Sequence, residues 1–475
     1  MGLLDRIKNA GSVLFGSSFE GANNSQRRGR VPGASPTDFK HEFEGGTRLE
    51  IVKRSRYLMK NSGLPREHRD LNVLYSVGDG LSPQAHTESR EWNREAEAYF
   101  AEWSRRADVT ERFSFSDIQK LASKSIDTDG ELFVVKTRNN RTKEPRLQLI
   151  ETHRVGNFME RDENNWVDGI RLDVAGRPTA IRVLRDTGKT RSIPYSAVMH
   201  LFEAESPSAY RHPPMFAHSV NHMLDETELI ALEKHAVKDN SDISRVLKTD
   251  KGRLDNSGDF SATGGTDTET TDPRALQKIL GGKLVAVQPH ESIESYNSNR
   301  PSPTFTGFLE HLRRDSSLGS LPYEFVVDPS GATGPAVRMV VAKAQRRFKA
   351  RTDLIANKLV KPTWFYVVGA AIDNGILPSI KSWSNISVGG LRDITVDAGR
   401  DSESNRRDVQ MGLKLPSTSY AEQGDDFIDA MEAKAHLIQS VRDIAKAHDI
   451  DPELLFNFST EKNNSGSATT PPSAK

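Results

Sequence analysis

The 475-residue chain contains no cysteine. Its absence excludes disulfides, thiol nucleophiles, cysteine-bound zinc and iron–sulfur clusters, and fits a reducing compartment such as a bacterial cytoplasm. Excess charge of either sign is also missing: 65 basic residues stand against 65 acidic ones. A free-standing duplex binder carries a basic excess, so any dealing with nucleic acid must here be local or steric. No run approaches the ~20 apolar residues of a membrane span, and no membrane partner is expected. Met1–Lys8 lacks the apolar core of a secretory signal. With Leu3, Leu4, Ile7, Val13 and Leu14 to one side, it reads as a short amphipathic helix.

Signatures of catalysis are lacking too. Gly188-Lys189-Thr190 imitates the end of a phosphate loop, but the first glycine of that motif would fall on Val183, in a hairpin region. Asp127-Thr128-Asp129-Gly130 imitates a calcium loop. Aligning its glycine puts Ser125 at the first ligand and Lys136 where a bidentate glutamate belongs, so a polar turn before a strand is expected. His290-Glu291 has no second histidine four residues on, and no Gly-x-Ser-x-Gly elbow occurs. His218 and His222 have i, i+4 spacing without a third ligand, which suits surface or interface histidines. No catalytic residue, no metal site and no cofactor is expected, and the chain does not read as an enzyme.

What is present is a long alternation of helix and strand patterns. At about 150 residues per domain the length allows roughly three domains. Residues 17–46, rich in Gly, Ser, Asn, Arg and Pro, read with the terminus as an arm over 1–46. Leu49, Val52, Tyr57 and Leu58 predict a helix closed by Asn61-Ser62-Gly63. Trp92, Ala96, Tyr99, Phe100 and Trp103 predict another over Arg90–Ser104, and Ser116-Asp117 is the expected cap of a third. Strands are predicted at 130–136, 147–150, 169–174 and 179–183, with Ile193-Pro194 and 198–202 continuing the sheet.

The second half is more helical. Met223, Ile230 and Val237 recur every seven residues in a helix over 218–239. Residues 250–273 turn polar, 283–287 read as a strand, and 304–316 as a helix. The loop Asp328-Pro329-Ser330-Gly331-Ala332-Thr333-Gly334 precedes a helix opened by Pro335. That helix keeps Val337, Val341, Ala344, Phe348, Ile355 and Leu359 to one side. Its other faces carry Arg338, Lys343, Arg346, Arg347, Lys349, Arg351 and Lys358. This is the strongest charge feature: either a solvated face or a wall turned to DNA or to an acidic neighbouring subunit. Pro362 ends or kinks the helix, and 364–372 is apolar nearly all round. Ser419 and Glu422 have capping-box spacing before a last helix, and 459–475 reads as a disordered tail.

The order of segments resembles the lambda-like portal family of tailed bacteriophages. It is carried by Thr47-Arg48-Leu49 to Asn61-Ser62-Gly63, by Asp129-Gly130-Glu131-Leu132-Phe133, and by Leu147–Glu151 with Arg154-Val155. Gly169-Ile170, Gly176-Arg177-Pro178, Ile193-Pro194 to Phe202, and Arg211-His212-Pro213-Pro214 follow in family order. His212 replaces the usual glycine, and 250–275 is unusually rich in Asp, Thr and Gly.

The resemblance implies an α+β portal fold with wing, stem, clip and helical crown, assembling into a ring of about twelve copies. It implies a wing over 47–215, a first stem helix over 216–239, a clip over 240–303 and a second stem helix over 304–327. A tunnel loop over 328–335, a return over 336–418 and a crown helix over 419–458 complete it. The implied role is a channel at one capsid vertex, reached from the host cytoplasm during assembly, that passes double-stranded DNA. The implied partners are a terminase motor, a head–tail adaptor, and capsid or scaffold proteins. The competing expectation is a head-assembly scaffold or adaptor that forms no ring.

Overall fold

The computed structural model describes residues 37–43, 45–139, 141–156, 165–242, 245–248, 284–287, 303–331, 333–391, 394–396, 398–421, 427–451 and 455. The expected amphipathic start, the expected arm before residue 37, most of the expected clip including 250–275, and the expected tail over 459–475 lie outside them.

After a single turn at Phe39–Glu42 come helices α1 (Gly45–Asn61) and α2 (Gly63–Ser76), a short strand β1 (Pro83–Ala85), α3 (Arg90–Ser104) and α4 (Phe115–Asp129). Sequence pattern gave α3 to the residue but passed over α2, whose buried positions are Pro65, His68, Asn72, Val73 and Ser76. Only one of those five is a large apolar residue, so its apolar periodicity is weak. The cap of α4 is Ser114 rather than Ser116. Ser114 accepts from the Asp117 backbone N–H and Asp117 reaches back to the Ser114 N–H, a complete capping box.

Strands β2 (Glu131–Arg138), β3 (Pro145–Ile150) and β8 (Val198–Phe202) form an antiparallel sheet in the order β3-β2-β8. Strands β4 (Trp166–Val167), β5 (Ile170–Leu172), β6 (Pro178–Leu184) and β7 (Thr190–Pro194) form a second, antiparallel and sequential. The expectation of one continuing sheet is therefore corrected: β7 closes the second sheet and β8 returns to the first. Alternation on β2 explains the layering, because successive side chains point to opposite faces. Leu132 and Val134 meet the helices with Met199 and Leu201, whereas Phe133 and Val135 meet Ile170, Ile181 and Val183 of the second sheet. The result is a helix–sheet–sheet stack with β2 buried on both faces.

Helix α5 (Val220–Asp242) leaves this body, rooted by Phe216, Val220 and Met223 against Leu58 and Met59. Helix α6 (Pro303–Ser317) returns beside it. The Ser219 hydroxyl donates to the Ser316 carbonyl at 3.4 Å and Arg313 pairs with Glu226 at 2.6 Å, an antiparallel register. Between them strands β9 (Arg245–Lys248) and β10 (Leu284–Val287) pair in parallel. A one-turn helix α7 (Tyr323–Val326) then precedes α8 (Gly334–Ile355), a π-helical turn (Ala356–Val360) and α9 (Lys361–Asp373). Pro362 falls at the start of α9, after the π turn. A proline lacks the N–H for the regular ladder, so the helix bulges and continues instead of ending. Trp364, Val367, Val368 and Ala371 are fully buried against α3, though Phe365 is 40% exposed.

The chain closes with β11 (Ile386–Val388), antiparallel to β1, and with α10 (Ala398–Gln410), α11 (Pro416–Ala421) and α12 (Phe427–Ala447). Ser419 sits inside α11 and caps nothing, while Glu422 lies outside the described residues.

Candidate functional site

The predicted tunnel segment is built from both ends. On its entry side, Phe325 of α7 packs against Tyr75 of α2 and Phe348 of α8, with ring centroids 5.8 and 5.6 Å away. Arg314 of α6 pairs with Glu324 at 3.1 Å and lies 5.3 Å from the Tyr323 ring. The loop then runs free of packing: Asp328, Pro329, Ser330, Gly331, Thr333 and Gly334 are all exposed, and Ala332 lies outside the described residues. Asp328 accepts from the Ser330 N–H at 2.8 Å and its hydroxyl at 2.7 Å. Those bonds hold its carboxyl below the usual carboxylate range. Neither Gly331 nor Gly334 adopts a left-handed φ, and a Cβ at either would meet nothing within 4 Å. The bend thus rests on the Asp328 turn and not on glycine.

On α8, Arg338, Lys343, Arg346 and Arg347 are exposed, as the pattern predicted. Among the described residues no acid pairs with Lys343, Arg346 or Arg347. Arg338 lines an open groove with Val341, Gln345, Ile394 and Arg400. Two members of the basic series belong elsewhere. Arg351 is buried, bonded to Asp127 at 2.8 Å and Glu203 at 3.0 Å. Lys358 lies 4.3 Å from the Phe202 ring centroid. The helix turns through its 3.6-residue period onto the core at Phe348, Arg351, Thr352 and Ile355, so its charged stripe ends there.

Asp127 and Asp129 form no turn and no cation loop. They occupy the last turn of α4, where the helix dipole disfavours carboxylates. Each is compensated: Asp127 by Arg351 and Asn72, Asp129 by Arg56 at 2.6 Å. Gly130 caps the helix at φ +89°, and a Cβ there would stand 2.0 Å from the His212 carbonyl oxygen. Only glycine fits that approach.

The segments that carry the family resemblance, scattered from residue 48 to 211, converge on one buried ionic centre. Arg48 from α1 pairs with Asp168, through Nε and also through a second nitrogen at 3.1 Å. Arg211 donates to Glu131 Oε1 at 2.6 Å, to the Asp168 carbonyl at 2.6 Å and to the Val155 carbonyl at 3.2 Å. Thr152 donates its hydroxyl to Glu131. His200 lies 2.8 Å from the other Glu131 oxygen and stacks on Phe133 at 4.1 Å, and Tyr195 reaches its Nδ1 at 3.2 Å. Burial pushes the Glu131 carboxyl up, but the Arg211 charge and the His200 bond outweigh it and hold the group well below the carboxylate range. Burial pushes the His200 pKa down against the opposing pull of the Glu131 carboxylate. Two guanidiniums and two carboxylates balance in this buried centre. This arrangement locks α1, both sheets and the root of α5 together.

Sequence reading had the motifs but not their meeting. Arg48, Glu131, Asp168 and Arg211 lie in different motifs, and no spacing rule links them. The legible signal was charge placed inside apolar patterns, at Glu131 before Leu132-Phe133 and at Asp168 before Gly169-Ile170. His218 and His222 are both exposed, but His218 precedes α5, so they do not share a helix face. Among the described residues no three metal-ligating side chains gather, and no helix is long and apolar enough to cross a membrane. The loop of residues 185–189, holding Gly188-Lys189, is a hairpin turn between β6 and β7.

The described residues thus bring together a helix–sheet–sheet body, paired outgoing and returning helices, and an exposed loop feeding a basic helix. The family described as phage portal protein, lambda family, matches residues 28–352. That is more than half of the chain, and the chain belongs to this family. The family is a structural one, and the role is that of a portal protein. No curated protein matches the chain in sequence. Solved structures similar to it include the neck of an empty GTA particle computed with C6 symmetry, with a TM-score of 0.40 and 11% identity over 78% of this chain and 93% of that one. The neck of a native GTA particle computed with C12 symmetry gives 0.42 and 10% over 79% and 92%. The virion of a native gene transfer agent (GTA) particle gives 0.43 and 11% over 80% and 93%.

Proposed function

We propose that this chain assembles into a ring of about twelve copies at one capsid vertex and forms the channel for packaging and releasing double-stranded DNA. The observation that carries this reading is the family match over residues 28–352. The geometry supports it. Helices α5 and α6 run out together and bracket residues 243–302, which suits a stem bearing a clip that docks the terminase motor and later the head–tail adaptor. The stem leaves Leu232, Val237, Phe308 and Leu318 between 41% and 62% exposed, apolar surface that a neighbouring copy would cover.

In this assignment residues 47–215 are the wing and meet capsid or scaffold proteins. Residues 328–335 line the channel at its narrowest. Arg338, Lys343, Arg346 and Arg347 meet phosphate or the exposed Glu310 and Asp315 of the next copy. The segment over 419–458 is a crown, and the ring assembles in the host cytoplasm before it resides in the virion. A channel that must let DNA slide benefits from zero net charge, because many phosphate contacts would hold the duplex. Negative-stain electron microscopy with mass photometry tests the reading: rings of about twelve chains are expected. A stable monomer at high concentration and physiological salt refutes it and leaves the ringless scaffold.

A further inference from the structure

Helix α10 ends in an apolar knob and borders an apolar groove near its start. Met411, Leu413 and Leu415 follow the helix directly and are between 66% and 76% exposed. Hydrogen bonds fix their loop. The Gly412 N–H donates to the Val409 carbonyl at 3.2 Å and the Leu413 N–H to the Asp408 carbonyl at 2.9 Å, with Gly412 at φ +71°. This is how a helix closes through a left-handed glycine, and an apolar residue at the next position frequently lies back on the helix. Leu413 is instead turned out to solvent. Lys414 donates from Nζ to Asn405 Oδ1 at 3.0 Å, back along α10, so the one charge in the loop is drawn off its tip. Pro416 then opens α11, and Tyr420 of α11 packs on Phe427 of α12 with ring centroids 5.5 Å apart.

The groove, of about 250 Å³, lies between α8 and the segment that leads into α10. Val341 and Ala342 of α8 face Ile394 and Val396, and Arg338 and Arg400 also line it. Gln345 of α8 accepts from the Ile394 N–H at 3.1 Å, which pins the second wall to the helix. An apolar space of ~150 Å³ already takes a benzene-sized group, so the groove has room for a leucine side chain.

We propose that the knob of one copy fills the groove of the next, a head-to-tail contact that links copies of this chain around the ring. It rests on the ring reading above and names surfaces that join neighbours there. Three observations make the occupant a second copy. Arg400 lines the groove near the start of α10 and the knob follows Gln410 at its end. At about 1.5 Å per residue the helix holds the two roughly 15 Å apart, so a chain cannot fill its own groove. Two unlike surfaces that fit each other on one chain make a heterologous contact, which passes from copy to copy and closes into a ring where the rotation allows; a two-fold dimer needs one self-matching patch instead. Zero net charge also removes the long-range repulsion that keeps copies of a strongly charged protein apart. Apolar side chains gathered on one fixed loop mark a contact surface, and a fixed loop loses little entropy on docking.

The chain has no cysteine, so introduced thiols report only on the pair chosen. Leu413→Cys/Val396→Cys in the full chain, mildly oxidised at physiological salt, is expected to give a ladder of disulfide-linked multimers on a non-reducing gel. Leu413→Cys and Val396→Cys alone should each stay single. Leu413→Asp/Leu415→Asp changes only exposed side chains and should melt as wild type. It should raise the concentration at which mass photometry finds half the chains in rings by about tenfold or more, the scale of one lost leucine burial. Rings that withstand both aspartates, with no ladder from the cysteine pair, overturn the proposal and leave the ring reading standing, the knob then belonging to a different protein partner. A wild-type chain that stays monomeric overturns both. A dimer from Leu413→Cys alone shows knob packed on knob and overturns the head-to-tail contact.

Discussion

Glu131→Gln is the sharpest probe of the buried ionic centre. Glu131 is 0% exposed, and Arg48 and Arg211 are each 2% exposed. In the wild type two cations face two anions, with Asp168 the second anion, 3.5 Å from Arg211. The amide preserves shape but leaves two buried guanidiniums sharing one carboxylate. Removing one partner of a buried ion pair costs about 3–5 kcal/mol, chiefly because the other charge stays desolvated. For a folded unit of about 150–250 residues, each kcal/mol shifts the melting temperature by roughly 2–4 °C, so a drop on the order of 10 °C is expected. Differential scanning calorimetry at pH 7 measures it, and hydrogen exchange on strand β2 locates it. The companion Glu131→Gln/Arg211→Met restores charge balance around Arg48 and Asp168 and should recover at least half of the loss. A shift under about 2 °C for the single variant, or a double variant as unstable as the two singles summed, would refute charge balance as what holds the helix–sheet–sheet body together.

Gly130→Ala places a Cβ 2.0 Å from the His212 carbonyl at φ +89°, so soluble yield should collapse, whereas Gly331→Ala, with open space around it, should express and melt as wild type. Equal yields would show that the α4 cap tolerates a side chain. His68 is fully buried between Ser317 and Ser320, and burial lowers its pKa from 6.5 to about 4. An unfolded histidine takes its proton below pH 6.5 and the folded one does not until about 4, so its contribution is complete above 6.5 and is lost as pH falls through that window. The loss is on the order of 3 kcal/mol; urea midpoints that fall as steeply in His68→Gln as in wild type would exclude it. Shortening the loop at Ser330–Thr333 should lower the DNA packaged per head or its retention, and normal values of both would remove that loop from the DNA path.

Local patterns carried a large share of this fold. The apolar spacing of Trp92, Ala96, Phe100 and Trp103 gave α3, because a helix facing a core must repeat near 3.6 residues. The apolar run at 132–135, the Gly176-Arg177-Pro178 turn and the exposed Asp328–Gly334 loop were legible for similarly local reasons. The order of motifs was enough for the portal family. Tertiary structure decided the rest. Helix α2 buries His68, Asn72 and Ser76, polar residues whose place inside is licensed by partners from distant segments. Arg351 read as part of a solvated basic stripe and is instead the cation that neutralises Asp127, since only the packing of α8 on α4 brings them within 2.8 Å. The split of β7 and β8 between two sheets, and the meeting of Arg48, Glu131, Asp168 and Arg211, depend on contacts between residues up to 120 positions apart. Periodicity reports which face of an element is buried. It carries no information on which buried charge meets which, because that is fixed by the desolvation cost of leaving any one of them alone.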